Sequence, residues 1–217
     1  MLRSPVRTRS TASRGGVAAA VGVLALALAV PASSGAARRP SCASAKGTTI
    51  AASATVRVYR VGPSDEQTFY SCWLRTAKRT LLGRSLQLGE NSQSLDTLSL
   101  AGRYVGYRQA ISFGGEGLTV DVLLTDVRTG RTARVAVDTE ATEAETSVGV
   151  DAVLPTPDGL LLWTGRPADC QGLHVLSAAG ASTLSCGAVT EVAVVGRRVY
   201  WQQDGQTRAA VVPGPTA

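Results

Sequence analysis

The clearest fold signal in this sequence is the stretch LTVDVLLTDVRTGRTARVAV, residues 118–137. Apolar residues occupy every second position on both sides of Gly130, which is the pattern of a half-buried strand. Gly130 stands where a tight turn needs a positive φ, which glycine adopts without strain. The stretch therefore predicts a β-hairpin.

Weaker copies of this hairpin pattern occur on both sides, and together they span residues 55–212. In three of them a glycine turn joins two strands, and the second strand carries large aromatic residues. The turns are Gly102, Gly159 and Gly196, followed by Tyr104 and Tyr107, by Trp163, and by Tyr200 and Trp201. The continuous apolar run Leu160–Trp163 is typical of a strand buried on both faces. Residues 81–94 lack a sustained pattern, and we expect a loop there with one short strand.

Two phrases of the central unit carry a resemblance to a known family type. Leu100–Tyr107 and Leu124–Arg131 resemble blades of secreted bacterial β-propellers of the TolB or WD40-like type, in which a strand ends in Asp and a turn holds Thr-Gly. The resemblance covers residues 55–212. It implies an all-β, β-propeller-like fold of about four antiparallel sheet repeats, stacked so that neighbours bury the aromatic residues. Because the last repeat lacks a strand, we expect the strand near Thr55 to complete its sheet. A β-sandwich is the alternative fold.

The first 37 residues have the layout of a secretory signal peptide. Four arginines precede an uncharged run, Gly15–Val30, and small residues suited to cleavage follow it. The run is short for a membrane-spanning helix, which needs about 20 residues. An uncleaved anchor is the alternative reading. We predict a signal peptide at 1–37, a flexible N-terminal lead at 38–54, the folded domain at 55–212 and a C-terminal tail at 213–217.

Removal of the signal peptide changes the charge of the protein. The whole chain has 22 basic and 16 acidic residues and a net charge of +6, but the remainder after residue 37 has a net charge of only +2. That weak excess does not indicate nucleic acid as a partner. We expect a secreted or extracytoplasmic protein that contacts a membrane only if the signal peptide stays attached.

Four cysteines in an exported chain indicate disulfide bonds. Three pairings are possible, and we favour Cys42 with Cys72 and Cys170 with Cys186, because the second pair lies at the ends of one predicted hairpin. A zinc site would need clustered cysteines or a Cys-x-x-Cys pair, and the sequence has neither. We therefore predict two disulfides and no metal site.

Residues suited to catalysis are few. The single histidine, His174, alternates with apolar neighbours and is expected to be half-buried and hydrogen-bonded. The glycine-rich loop Gly114–Gly117 joins two strands, whereas phosphate-binding loops precede a helix. Asp121 and Asp126 are an odd number of residues apart and so fall on opposite faces of one strand. The acidic residues of 138–147 lack the spacing of a calcium loop and indicate a solvated connection. No catalytic residue or cofactor is predicted.

Basic residues recur at the two best-defined hairpin turns, and in a propeller they would lie on one rim. The predicted rim consists of Arg75, Lys78, Arg79, Arg128, Arg131 and Arg134. Such a rim suits an acidic protein or a cell-envelope polymer, although ordinary solvated turns are the simpler reading. The sequence thus predicts an exported, non-catalytic binding module. The alternatives are a carboxylate-dependent hydrolase or lyase on a propeller scaffold, and a surface-structural protein.

Overall fold

Antiparallel strands make up most of the chain that the structure describes. The structure is a computed structural model and describes residues 42, 45–114, 117–141, 149–165, 170–177 and 179–214, without the side chains of 138–141. The predicted signal peptide lies outside these residues, as does most of the acidic segment 138–147. The described residues belong to one unit, Arg38–Ala217. Its fifteen strands are β1 (Thr48–Ala52), β2 (Val56–Val61), β3 (Glu66–Trp73), β4 (Lys78–Leu88), β5 (Asn91–Ala101), β6 (Tyr104–Phe113), β7 (Leu118–Asp126), β8 (Arg131–Ala141), β9 (Val150–Pro155), β10 (Leu161–Gly165), β11 (Gly172–Ser177), β12 (Gly180–Cys186), β13 (Thr190–Val195), β14 (Arg198–Gln203) and β15 (Gln206–Val211).

Every strand pairs with its neighbour in sequence, so the fold is built from three antiparallel meanders. Strands β1–β8 form one sheet, β9–β12 a second and β13–β15 a third. The first sheet divides at β4–β5, where only three residue pairs next to the turn are in register, from Leu86–Gln93 to Leu88–Asn91. We therefore describe four layers: β1–β4, β5–β8, β9–β12 and β13–β15. The all-β prediction is confirmed.

The four layers pack face to face in sequence order. Val58 and Phe69 of the first layer meet Val105 and Tyr107 of the second in one apolar cluster. A second cluster joins the other face of the second layer to the third. A third cluster joins the other face of the third layer to the fourth, through residues such as Trp201. Since successive strand residues point to opposite faces, each inner layer contributes to two cores.

Strand β10 and the residue before it show this two-sided burial. Leu160 and Leu162 face the fourth layer, whereas Leu161 and Trp163 face the second. All four side chains are at most 3% exposed. This confirms the expectation that the apolar run forms a strand buried on both faces.

The second and third layers approach closely at two glycines. A Cβ atom at Gly106 would lie 2.8 Å from Leu161 Cδ1 and 2.9 Å from Val153 Cγ1. Gly159, in the β9–β10 turn, has φ +88° and leaves space that the Tyr104 ring occupies. These contacts fix the β5–β6 and β9–β10 turns at the same end of the stack.

Two expectations about the strands are wrong. Residues 81–94 form most of the long hairpin β4–β5 instead of a loop. The pattern missed it because these strands carry Ser, Gln and Arg at many positions and are only partly buried. The strand near Thr55 does not complete the last sheet, because β2 pairs with β1 and β3. The last sheet has three strands among the described residues.

Two disulfides join the expected cysteines, Cys42 with Cys72 and Cys170 with Cys186. The first holds the segment before β1 against the outer face of the first layer, beside Tyr59. Arg57 reinforces this attachment by donating hydrogen bonds to the carbonyls of Cys42, Ala45 and Gly47. Part of the predicted lead thus belongs to the fold, since β1 begins at Thr48.

Candidate functional site

The hairpin turns divide between two ends of the stack because all strands are antiparallel. Turns that follow an odd-numbered strand lie at one end, and turns that follow an even-numbered strand lie at the other. Contacts between layers agree with this arrangement. Gly102 lies against Pro157 at the first end, and Gln203 donates to the Cys186 carbonyl at the second.

Charge is distributed unequally between these two ends. Among described residues in the turns or within two residues of them, the first end has nine basic side chains and two acidic ones, Asp126 and Asp158. We call it the basic end, and its basic residues are Arg57, Arg75, Lys78, Arg79, Arg103, Arg128, Arg131, Arg197 and Arg198. At the opposite end the same count gives one basic residue, Arg60, and six acidic ones, which are Asp65, Glu66, Glu90, Asp151, Glu191 and Asp204. The weak net charge of the chain therefore conceals a strong asymmetry.

The two turns of the predicted basic rim lie next to each other. Lys78 of the first layer donates hydrogen bonds through Nζ to the carbonyl oxygens of Thr129, at 2.6 Å, and Arg128, at 3.4 Å, in the second layer. Five of the six predicted residues lie at the basic end. Arg134 does not, because it lies farther along β8 and forms an ion pair with Asp121 at 2.6 Å.

Aromatic rings support four arginines of the basic end. The guanidinium carbon of Arg57 lies 4.8 Å from the Tyr59 ring centroid, and that of Arg79 lies 4.7 Å from the Tyr70 centroid. Trp73 supports Arg75 in the same way, and Tyr104 supports Arg103. Such contacts restrict the side chain. Arg57 also donates to backbone carbonyls and Arg103 pairs with Asp126, so the charges that remain available are those of Arg75 and Arg79. Sequence reasoning missed these pairs, although an arginine one or two residues from an aromatic marks three of them.

A cleft of about 410 Å³ opens at the basic end on the face of the second layer that also contacts the third. Leu124 and Ala133 give it an apolar floor, and Tyr104 lies beside them. Arg103, Asp126, Thr129, Arg131 and Thr132 complete the lining. Its volume lies in the range of small-molecule sites, about 300–1,000 Å³.

Arg103 is held in place within this cleft. Its Nη2 donates a hydrogen bond to the Tyr104 hydroxyl at 2.6 Å, and its Nε lies 3.3 Å from Asp126 Oδ2 as an ion pair. The hydrogen bond to Tyr104 raises the pKa of Arg103 most, and the Asp126 charge adds to this against the opposing effect of burial. Asp126 is fixed in turn, since its Oδ1 accepts from the backbone N–H groups of Arg128 and Thr129.

Arg131 lines the cleft, and Arg128 lies on the other side of the same turn. Neither guanidinium has an ion pair or a hydrogen bond among the described residues, and both side chains are exposed. They flank the turn in which Gly130 has φ +80°, the positive value that the sequence predicted. The cleft thus combines one fixed cation, Arg103, with one that is free to meet a ligand, Arg131.

The other residues considered for catalysis are not brought together. Asp121 is buried beside Arg134, whereas Asp126 faces Arg103, so each carboxylate has a different arginine partner. His174 is fully buried rather than half-buried, because both faces of its layer are covered. The loop after Phe113 joins two strands, as predicted.

A second cleft, of about 390 Å³, lies between β1 and β5. It is lined by Thr48, Arg60, Asp96 and Thr97 among others. Thr97 has φ +48°, an unusual value for a β-branched residue, and its hydroxyl donates to Asp96 Oδ1. Asp96 also lies 3.6 Å from Arg108, so the polar groups of this cleft largely bind one another.

Within the described ranges, no group of three or more His, Cys, Asp or Glu side chains is placed to hold a metal ion. The same residues contain no helix with the length and apolarity needed to cross a membrane. No family model matches the chain, and neither a curated protein nor a solved structure matches it.

Proposed function

We propose that this protein is an exported, non-catalytic binding module whose basic end binds an anionic polymer of the cell envelope. The observation that carries the proposal is the concentration of nine basic side chains against two acidic ones at one end of the stack. A surface that concentrates positive charge attracts an extended polyanion at several points along the polymer, and these weak contacts then act together.

The aromatic supports favour binding over simple solvation of the turns. A free surface arginine loses side-chain entropy when it binds, at a cost of up to about 2 kcal/mol. Arg75 and Arg79 lie against rings before any ligand arrives, so part of this loss has already occurred on folding. The basic end is therefore partly preorganised.

Two further parts of the proposal concern fold and location. The four layers, stacked in sequence order, support a β-propeller-like arrangement in which β5 and β9 lie against each other as inner strands. A β-sandwich describes the packing of any two neighbouring layers.

Two disulfides suit an oxidising compartment, which supports export.

A charge-matched pair of variants tests the proposal. Polygalacturonate, a carboxylated polymer, serves as the probe, and neutral dextran as the negative control. The triple variant Arg75→Ser, Arg79→Ser, Arg128→Ser should weaken binding at least tenfold. The control triple Arg60→Ser, Arg84→Ser, Arg208→Ser removes the same charge away from the basic end and should change binding less than threefold.

The salt dependence gives an independent measure. Binding should weaken steeply between 50 and 200 mM salt, because the Debye length falls below the distance between neighbouring charges (about 8 Å at 150 mM). The first triple variant should show a shallower dependence than the control triple. Equal losses in both triples, or binding of dextran as strong as that of polygalacturonate, would contradict a specific basic end.

A further inference from the structure

The cleft at the basic end differs from the surface around it in its chemistry. Its rim is cationic, but its floor is apolar, with Leu124 2% exposed and Ala133 half-buried. A simple polyanion contact needs no apolar floor. The combination fits a ligand that has one charged group and one apolar face.

The cations are placed so that a negative group meets the outer part of the cleft. Arg131 has no partner among the described residues, whereas Arg103 lies deeper, beside Asp126. An anion is repelled by Asp126 and attracted by Arg131, so it should lie on the Arg131 side. Planar guanidinium groups bind carboxylates and phosphates through paired hydrogen bonds.

The remaining lining groups match hydroxyl groups of a ligand. The Thr129 hydroxyl accepts from the Arg131 backbone N–H and can still donate to a ligand, and the Asp126 carboxylate accepts hydrogen bonds from alcohols. Sugar rings present C–H groups on one face and hydroxyls around the edge. The apolar floor, the polar pair Thr129 and Asp126, and the free Arg131 thus correspond to three parts of one sugar residue that carries an anionic group.

We infer that this cleft binds a single anionic sugar residue, with its carboxylate or phosphate on Arg131 and its ring over Leu124 and Ala133. This inference rests on the proposed function, because it names the unit of the polymer that the basic end recognises. The rest of the basic end adds affinity along the polymer, and the cleft selects the sugar.

Titration calorimetry and NMR shift mapping of the disulfide-intact protein test the inference with defined probes. D-glucuronate and D-glucose 6-phosphate represent the two anionic groups, methyl glucoside lacks a charge, and acetate and inorganic phosphate lack a sugar ring. At least one anionic sugar should bind saturably, tenfold or more tightly than the neutral sugar and the simple anion, and should shift the signals of Leu124 and Ala133.

Variants separate the cleft from the surrounding charge. Arg131→Gln should weaken binding of the sugar about tenfold, the loss expected for one charge-assisted hydrogen bond. Ala133→Leu fills the floor without a change in charge and should also weaken it, with an unchanged melting temperature as the check on folding. Arg208→Gln, an exposed arginine on β15, is the matched control and should have no effect.

The outcomes distinguish the two proposals. If polygalacturonate binds but no anionic sugar binds saturably, the cleft inference is wrong and the proposed function stands. If the simple anions bind as tightly as the sugars, or if Arg131→Gln and Ala133→Leu both leave sugar binding unchanged, the inference is also wrong. If the sugar binds in the cleft but the Arg75, Arg79, Arg128 triple variant retains full polymer affinity, the broader function is wrong.

Discussion

His174 is the single histidine of the chain and lies in the third layer, facing the second. Its ring stacks on Trp163 at a centroid distance of 5.3 Å, and its Nδ1 shares a hydrogen bond of 3.0 Å with the Thr183 hydroxyl. Burial lowers the pKa of His174 below 6.5, although the nearby backbone of Gly165 and Cys170 opposes this effect. The position therefore favours the neutral ring.

This pKa shift predicts a loss of stability in acid. Below pH 6.5 the unfolded chain protonates His174 more readily than the folded chain, so the free energy of unfolding falls as pH falls through the folded pKa. His174→Gln removes this proton uptake, and its stability should change less between pH 7 and pH 5. Urea unfolding at both values measures the difference, and NMR follows the single imidazole directly. An imidazole that titrates at or above pH 6.5 would contradict the assignment.

At the scale of the element, the strands differ in how clearly the sequence marks them. Strands β7 and β8 were predicted from their alternation and from the turn at Gly130, because Val120, Val122 and Leu124 face one core and alternate with more polar residues on the other face of β7. Strands β4 and β5 carry the same backbone conformation with few apolar residues. Their pairing depends on partners across the sheet and on packing between layers, neither of which is local in sequence.

The disulfides act on different elements and should have different effects when removed. Cys42→Ala with Cys72→Ala opens a link between residues 30 apart, and Cys170→Ala with Cys186→Ala opens one between residues 16 apart. The chain-entropy model gives a loss of about 3–4 kcal/mol for each. Hydrogen exchange should rise in β1 and β2 for the first pair only, because Cys42 holds the segment before β1 on the first layer. Equal exchange in both variants would contradict this local role.

At the scale of the whole molecule, the described residues form a stack in which the fourth layer packs through one apolar cluster. Trp201 is 4% exposed and lies in that cluster with Leu160, Leu162 and Val175 of the third layer. The face of β14 that carries Tyr200 points away from the third layer. Layers in such a series depend mainly on their neighbours, as repeats do.

Trp201→Ala should therefore loosen the fourth layer first. Loss of a buried tryptophan costs about 3–5 kcal/mol. We expect amides of β13–β15 to lose protection from hydrogen exchange while those of β6 and β7 keep most of theirs. Tyr200→Ala, on the outer face of the same strand, is the control and should cost about 1 kcal/mol or less. Simultaneous loss of protection in all layers would indicate that the stack unfolds as one cooperative unit.

The sequence by itself determined the strand content of the best-patterned hairpins, the positive-φ turns and the pairing of the cysteines. These features depend on side-chain alternation, on glycine and on short separations along the chain. Only the tertiary structure decided which faces pack together and that residues 81–94 join the sheet. It also decided that β2 pairs within the first layer and not with the last sheet. It also decided the charge asymmetry, because antiparallel pairing collects turns that are far apart in sequence at one end. Arg103 and Arg131 line one cleft for this reason, since neither residue carries a local signal that predicts its neighbour.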